Sequence, residues 1–475
     1  MAGSMRLGGH GREAGIAVAA ALALTALVNV APVADAEARV RKVVVRQGPF
    51  HLGGYQVRYT DRTSRAAPAP RMDGYIVKMY ARVVDRHGRR IPVRRIMLHH
   101  VLYKNAGRFP GDRRERLCGH GGESFYGTGE ENQPLRLPKG YGYRIRRGDH
   151  WRIAWMLMNH QRRPGVGYIE YTAWIETSRR LRSVTPYWLR VTGCRGASDP
   201  IYTIRGGGAP GSTDRRTRPF RLPRAGMIVG GNGHLHGGAT GLLLRQPRCG
   251  NRLLLRSRPL YGLPSNPYYN VLPVLHEPGP IATSWPRTAK GIPIGPREPI
   301  ALVSAYDAEH QHTRVMGIMH LYVWHGRRPR ATRCRSLPSD LVDRRPRGRG
   351  RIDPPHVVVP LTGLDSRGRA RSILRPPGPT RFLDGGASLA MGRRSMGIRN
   401  LSIPAGSSLR WTDRDARARW HNATVANGPE GGAFASPMLL KGDTYTHRFT
   451  IPGTYRIFCT IHPVTMTQAV DVRPR

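Results

Sequence analysis

The sequence predicts an all-β protein: two jelly-roll-like β-sandwiches followed by a smaller Greek-key sandwich. Three observations carry this. Between Val40 and Trp324 short apolar-polar alternations recur between Gly, Pro, Asn and Asp turns, as the 57 glycines and 40 prolines require. Val77, Met79, Ala81 and Val83 fall on one strand face and Lys78, Tyr80 and Arg82 on the other. Ile169, Tyr171, Ala173 and Ile175 alternate likewise with Tyr168, Glu170, Thr172 and Trp174. After an Arg- and Pro-rich interval the alternation returns over Leu401 to Trp411 and Tyr445 to Ile451.

A chain of 475 residues has length for about three domains at ~150 residues each. Gly206-Gly207-Gly208 with Pro210 and Gly211 marks a joint, which gives sandwiches over 37–200 and 201–335. Residues 336–385 include the run Arg344-Arg345-Pro346-Arg347-Gly348-Arg349-Gly350-Arg351, which offers no apolar face and reads as a linker. The last domain is 386–475. Residues 1–36 read as an export signal: Arg6 and Arg12 precede an apolar run from Ala14 to Val30, and Ala34-Asp35-Ala36 supplies a cleavage site. A secreted or envelope-associated protein is expected, with retention as a membrane anchor as the other outcome.

The formal net charge is +47, yet only six of the 77 basic residues are lysine. The arginines are scattered through loops and strand faces rather than gathered in an aromatic-lined stripe, so no nucleic-acid partner is expected; an anionic cell-envelope polymer suits this charge better. Five cysteines in an exported chain imply two disulfides and one reserved thiol, Cys459. Of the three pairings open to the others, Cys118 to Cys194 and Cys249 to Cys334 keep each bridge inside one domain.

The strongest local motif is Cys459-Thr460-Ile461-His462-Pro463-Val464-Thr465-Met466, with His421 upstream in Trp420-His421-Asn422. A thiolate, two imidazoles and a weak thioether suit copper cycling between two oxidation states. The arrangement resembles the cupredoxin family of the plastocyanin and pseudoazurin type, as do Pro452-Gly453-Thr454-Tyr455 before the Cys and Gly442 with Tyr445. The resemblance implies a type 1 copper held by His421, Cys459, His462 and axial Met466. His447 reads as a solvated strand residue.

Upstream, His99-His100 is followed by His160, and Gly233-His234-Leu235-His236-Gly237 by a distant Met316. Adjacent histidines on an ideal strand point to opposite faces, so joint ligation by His99 and His100 needs a bulge, a strand end or different ring nitrogens. The i, i+2 spacing of His234 and His236 places both rings on one face. In this order the motifs resemble the copper type II, ascorbate-dependent monooxygenases, the peptidylglycine alpha-hydroxylating family, over about 45–325. That resemblance implies two further mononuclear coppers, one held by His99, His100 and His160, the other by His234, His236 and Met316 as the catalytic set. It also implies dioxygen, an organic substrate and an external electron donor. His276, His310 and His312 stand as substitutes for Met316.

Where the peptide-amidating members grip a substrate carboxylate, this chain has Asn232, Ile318 and His320, so a glycine-extended peptide is not expected. Glu130-Glu131 read as adjacent loop acids, and Gly206 to Gly208 lacks the residues of a phosphate loop. The expected function is a secreted multi-copper oxidoreductase with a fused electron-transfer domain. A non-catalytic copper-binding or electron-transfer protein is the alternative.

Overall fold

Strand pairing builds the whole molecule; the one helical element among the described residues is a 3-10 turn at Pro247–Cys249. The structure is a computed structural model and describes residues 40–60, 65–108, 117, 122–194, 200–327, 329, 334–417 and 420–475. The export segment and Cys118 lie outside these residues.

A long sheet runs in the order Val40–Leu52, Gly165–Glu176, Gly74–Val84, Tyr141–Ile145, Arg182–Arg190, Gly317–Trp324, Gly226–Leu235, Arg287–Ile294. Arg182–Arg190 pairs along its length with Gly317–Trp324 and touches Tyr141–Ile145 only at Arg182 and Ser183. One sheet therefore floors both sandwiches. Over its first half lies the sheet Val57–Tyr59, Trp151–Asn159, Ile96–Asn105, Glu123–Gly129, and the core between holds Ile76, Met79, Ile169, Ala173, Val101, Tyr103 and Ile153. Over its second half lies Thr213–Arg221, Pro299–Asp307, Ala239–Gln246, Arg252–Ser257, sealed by Leu242, Leu244, Leu302, Leu321 and Val323.

The alternation in Gly74–Val84 holds for Met79, Ala81 and Val83, all buried, but fails at Val77. The register against Gly165–Glu176 slips there, and Ile76 takes the inward place instead. A bulge adds one residue and reverses the faces beyond it. On the nominally outward face Glu170 is buried, held by Arg46 and Arg82.

The C-terminal sandwich has one sheet ordered Arg381–Phe382, Asn400–Pro404, Thr467–Arg473, Gly453–Phe458, Thr424–Asn427, and another ordered Ala387–Met391, Ser408–Asp413, Thr444–Arg448. Leu401, Ile403, Leu409, Trp411, Phe449, Ile457 and Val470 fill it, and the same apolar cluster continues into Met97, Met156 and Met158 of the first sandwich. The interval 336–385 is packed down. Val342 pairs with Arg287, Arg351 pairs with Tyr261, Leu361 is buried, and Asp340 accepts hydrogen bonds from Thr288, Ala289 and Lys290.

Cys249 and Cys334 form a disulfide, and Cys459 is a free, buried thiol. Cys194 is also disulfide-bonded; its assigned partner falls outside the described residues. The Cys249–Cys334 bridge closes a sequence separation of 85 residues, so its loss frees a long loop in the unfolded chain. Changing both cysteines to serine is expected to cost about 2–4 kcal/mol, read as a lower denaturant midpoint.

Candidate metal centres

The strand Ile96–Asn105 pairs with Trp151–Asn159 in one register up to Leu98 and in another from His100. His99 is the extra residue of that bulge. The local twist lets neighbouring histidines turn toward one another, and their Nδ1 atoms lie 3.0 Å apart. Across from them, His234 ends the strand Gly226–Leu235 and His236 follows it, with Nε2 atoms 3.3 Å apart as the i, i+2 spacing predicts.

The two pairs form one cluster. Ring centroids run 5.2 Å from His99 to His100, 6.4 Å to His234, 5.1 Å to His236 and 5.3 Å back to His99, closing a quadrilateral. A fifth ring, His276, sits 4.9 Å from His99. The two ligand sets that the sequence holds apart are thus neighbours, because the strands carrying them end at the same edge of the two sandwiches.

Two carboxylates read from sequence as loop acids are buried in this cluster. Glu130 contacts His276 at very short range, lies 3.7 Å from His99 Nε2 and accepts the Gly279 N–H. Glu131 lies 3.0 Å from His234 Nδ1 and accepts the Gly129 N–H. The pairing of His100 with Gly129 brings the acids here, a register that sequence alone does not disclose. A side chain at Gly129 would meet the His234 ring and the Glu131 carboxylate at 2.9 Å, so only glycine leaves space for that approach.

A ligating histidine commonly ties one ring nitrogen to a carboxylate or carbonyl and offers the other. His234 is held by Glu131 in this way. His160 Nδ1 is 3.2 Å from the Pro273 carbonyl, while its Nε2 is buried without a hydrogen-bond partner. His160 stands beside the cluster, within electrostatic range of His276 and Glu130. Burial and neighbouring rings hold His99 and His236 well below the usual imidazole range, and pull His100 down to about 3. His160 falls to about 4, chiefly through burial. Burial also lowers His234, but Glu131 and Glu130 outweigh it and raise the group overall. Glu130 is held low despite burial, by His276 and the Gly279 N–H. Imidazoles with two carboxylates are a donor set suited to a divalent cation.

Above the cluster lies a cavity of about 70 Å³. His99, His100, His236 and His276 form one wall, and Met156, Met158 and Met316 a second. Met438, Phe458 and Thr460 of the C-terminal domain close it. Met316 is thus at the cavity beside His236, and its carbonyl accepts the Tyr306 hydroxyl. Asn232 and His320 are buried in the paired strands Gly226–Leu235 and Gly317–Trp324.

In the C-terminal domain Cys459 Sγ lies 4.0 Å from His462 Nδ1, and the His421 and His462 rings are 5.2 Å apart. His421 Nδ1 is 3.0 Å from Asp413, while its Nε2 is buried with no hydrogen-bond partner. Met466 is fully buried, and its carbonyl and N–H close the loop onto the Cys459 N–H and the His462 carbonyl. Asn422 ties His421 to this loop: its Oδ1 accepts the Thr460 N–H at 2.9 Å and its amide donates to the Thr460 hydroxyl at 2.7 Å. Burial pushes the Cys459 thiol up, against backbone hydrogen bonds from Asn422, Ile461 and His462. A buried thiol with two nearby imidazoles, and a buried methionine at the end of the same loop as the thiol, are donors that fit a copper ion that exchanges electrons. His447 is partly buried and stacks on Phe434 rather than standing in solvent.

No protein-family model matches the chain. Over 67 residues, 13% of its length, it is 40% identical to amicyanin-alpha of Methylorubrum extorquens (strain AM1). The C-terminal domain is cupredoxin-like. The chain spans half the length of that curated relative. Solved amicyanin variants are similar to the cupredoxin-like part: a reduced form at 31% identity over 83% of its chain and 19% of this one, and a Cu(I) form at 30% over 85% and 19%, both with a TM-score of 0.17. These similarities support a cupredoxin-like domain and not the monooxygenase family.

A further buried group lies behind the cavity. His312 Nδ1 is 2.8 Å from Glu277 and its Nε2 is 3.5 Å from Asp307. Burial pulls this ring down, but the two carboxylates outweigh it and push it up to about 9. Because the folded value exceeds the unfolded one, the stabilisation is complete below about pH 6.5 and is lost as pH rises through about 9. The wild-type unfolding midpoint is expected to fall across that window. In His312→Gln the fall should be flatter, with a loss of up to about 3 kcal/mol at pH 6, measured by denaturant unfolding at each pH.

Proposed function

We propose that the protein is an exported multi-copper oxidoreductase in which the cupredoxin-like domain passes electrons to the histidine cluster of the N-terminal sandwiches. One observation carries this reading: Phe458 and Thr460, the two neighbours of Cys459, line the same cavity as His99, His100, His236 and His276. A ligand cysteine whose flanking residues face a second donor cluster gives a covalent path to the cavity wall and leaves only the cavity to be crossed through space. In this reading His421, Cys459, His462 and Met466 hold the type 1 copper, while the imidazole cluster, with Met316 at its cavity, holds the others. Bound there, copper supplies one-electron storage at each centre and a place for dioxygen to react.

The chain's own residues do the rest. Asp413 holds the His421 ring, Glu131 holds His234, and the Pro273 carbonyl holds His160, so the opposite nitrogens are fixed before a metal arrives. The methionines lining the cavity supply soft, polarisable contacts. A cavity of about 70 Å³ admits a molecule the size of dioxygen or a few waters, whereas organic substrates usually occupy ~300 Å³ or more. An organic substrate would therefore be reached through an opened form, in line with the missing carboxylate grip at Asn232, Ile318 and His320. The small volume of the cavity equally favours the second reading, a non-catalytic copper-binding electron-transfer protein. Export, an external donor and adhesion of the Arg-rich surface to an anionic envelope polymer complete the proposal.

Copper-loaded protein is expected to show an intense blue thiolate band, absent in Cys459→Ser. In that variant, reduction of the remaining copper by an external donor should slow at least about tenfold in stopped-flow measurements. Unchanged reduction would remove the relay. Oxygen consumption that requires both reductant and an added substrate separates the oxygenase from the non-catalytic reading.

A further inference from the structure

The cluster contains more donors than a single ion needs, and they divide at one ring. His99 presents Nδ1 to His100 at 3.0 Å and Nε2 to Glu130 at 3.7 Å. On the Nε2 side, His99, Glu130 and His276 each bring one ligand atom within 4.8 Å of the other two. His160, with its free Nε2, stands nearby, and the second nitrogen of His276 is likewise buried and unpartnered. On the Nδ1 side are His100 and the His234–His236 pair. With metal-nitrogen bonds of ~2.0 Å, separations of 3.0 Å and 3.3 Å correspond to angles of about 95° and 110° at a shared ion, both ordinary for copper or zinc.

Resting on the metal-centre reading above, we propose that the cluster binds two copper ions as a pair bridged by the His99 imidazole, with Glu130 and His276 completing the second site. One ion takes His99 Nε2, His276 and Glu130, whose ligand atoms already converge; the other takes His99 Nδ1 and His100, with the His234–His236 pair drawn in on loading. Both nitrogens of His99 then carry metal, so its single N–H proton is released to solvent on loading. The Glu130 carboxylate and the bridging imidazolate together offset part of the added positive charge. This replaces two independent mononuclear sites with an electronically joined pair. Glu130, absent from the ligand sets read from sequence, and His276, read there only as a substitute for Met316, become ligands.

The test uses the full chain loaded with Cu(II) alone, read by elemental analysis and by double integration of the electron spin resonance signal. The bridged pair predicts about three coppers per chain but about one spin, that of the blue centre, since two Cu(II) ions joined through one imidazolate couple and fall silent. Glu130→Gln should lose one copper and gain one spin, and His276→Ala should do the same if the glutamine variant alters folding. Three coppers with three spins would overturn the bridge and leave the relay standing. Loss of neither copper nor silence in both variants would overturn the assignment of Glu130 and His276. A single copper, the blue one, would overturn the bridge and the metal-centre reading together.

Discussion

Burying imidazoles with unpaired nitrogens is the constraint that the rest of the structure serves. Each buried polar atom left without a partner costs on the order of 1–3 kcal/mol, and His160, His276 and His421 each carry one. The fold contains that cost by satisfying the other nitrogen of each, through Pro273, Glu130 and Asp413. It also surrounds the cluster with sandwich cores that stay folded for reasons of their own, apolar stripes that do not depend on the cluster. A metal-binding site assembled on loops alone would relax and pair its nitrogens with water.

The same constraint explains the seating of the C-terminal domain. Met97, Met156 and Met158 belong to one apolar cluster with Leu389, Trp411 and Ile457, so the first sandwich and the cupredoxin-like domain share a core rather than a solvated interface. The interval 336–385, charged and proline-rich, is held by Asp340, Val342 and Arg351 against the second sandwich, and by Leu361 inside a small cluster with Ala426 and Phe458. Fixing both partners keeps the flanks of Cys459 at the cavity wall.

Much of this was legible in the sequence. Alternation identified Gly165–Glu176 and the strands of the last domain, and the sequence placed Cys459, His462 and Met466 on one C-terminal loop with His421 upstream. The His234–His236 pair followed from the period of a strand. The alternation of Gly74–Val84 predicted Val77 inside, but a bulge put Ile76 there, and periodicity carries no signal for an inserted residue. At His99 the bulge was anticipated only as one of three ways for adjacent histidines to converge. Glu130 and Glu131 read as mere loop acids because their role comes from pairing with a strand some thirty residues earlier. The Gly127-Thr128-Gly129 spacing just before them, which leaves space for approaching rings, was the available hint.

The closeness of the two histidine pairs decides between chemistries more firmly than the identity of the ligands does. Two ions in separate pockets store electrons independently, so transfer between them must be timed by the substrate or by motion of the sandwiches. One long sheet floors both sandwiches here, through Arg182–Arg190 and Gly317–Trp324, and resists such motion. Rigid proximity favours a small reactant that meets both ions at once over a large one bound across an open cleft. The cavity size and the buried places of Asn232 and His320 point the same way. Under the proposed reading, such a centre would be charged from the Cys459 side and discharged onto a small oxidant.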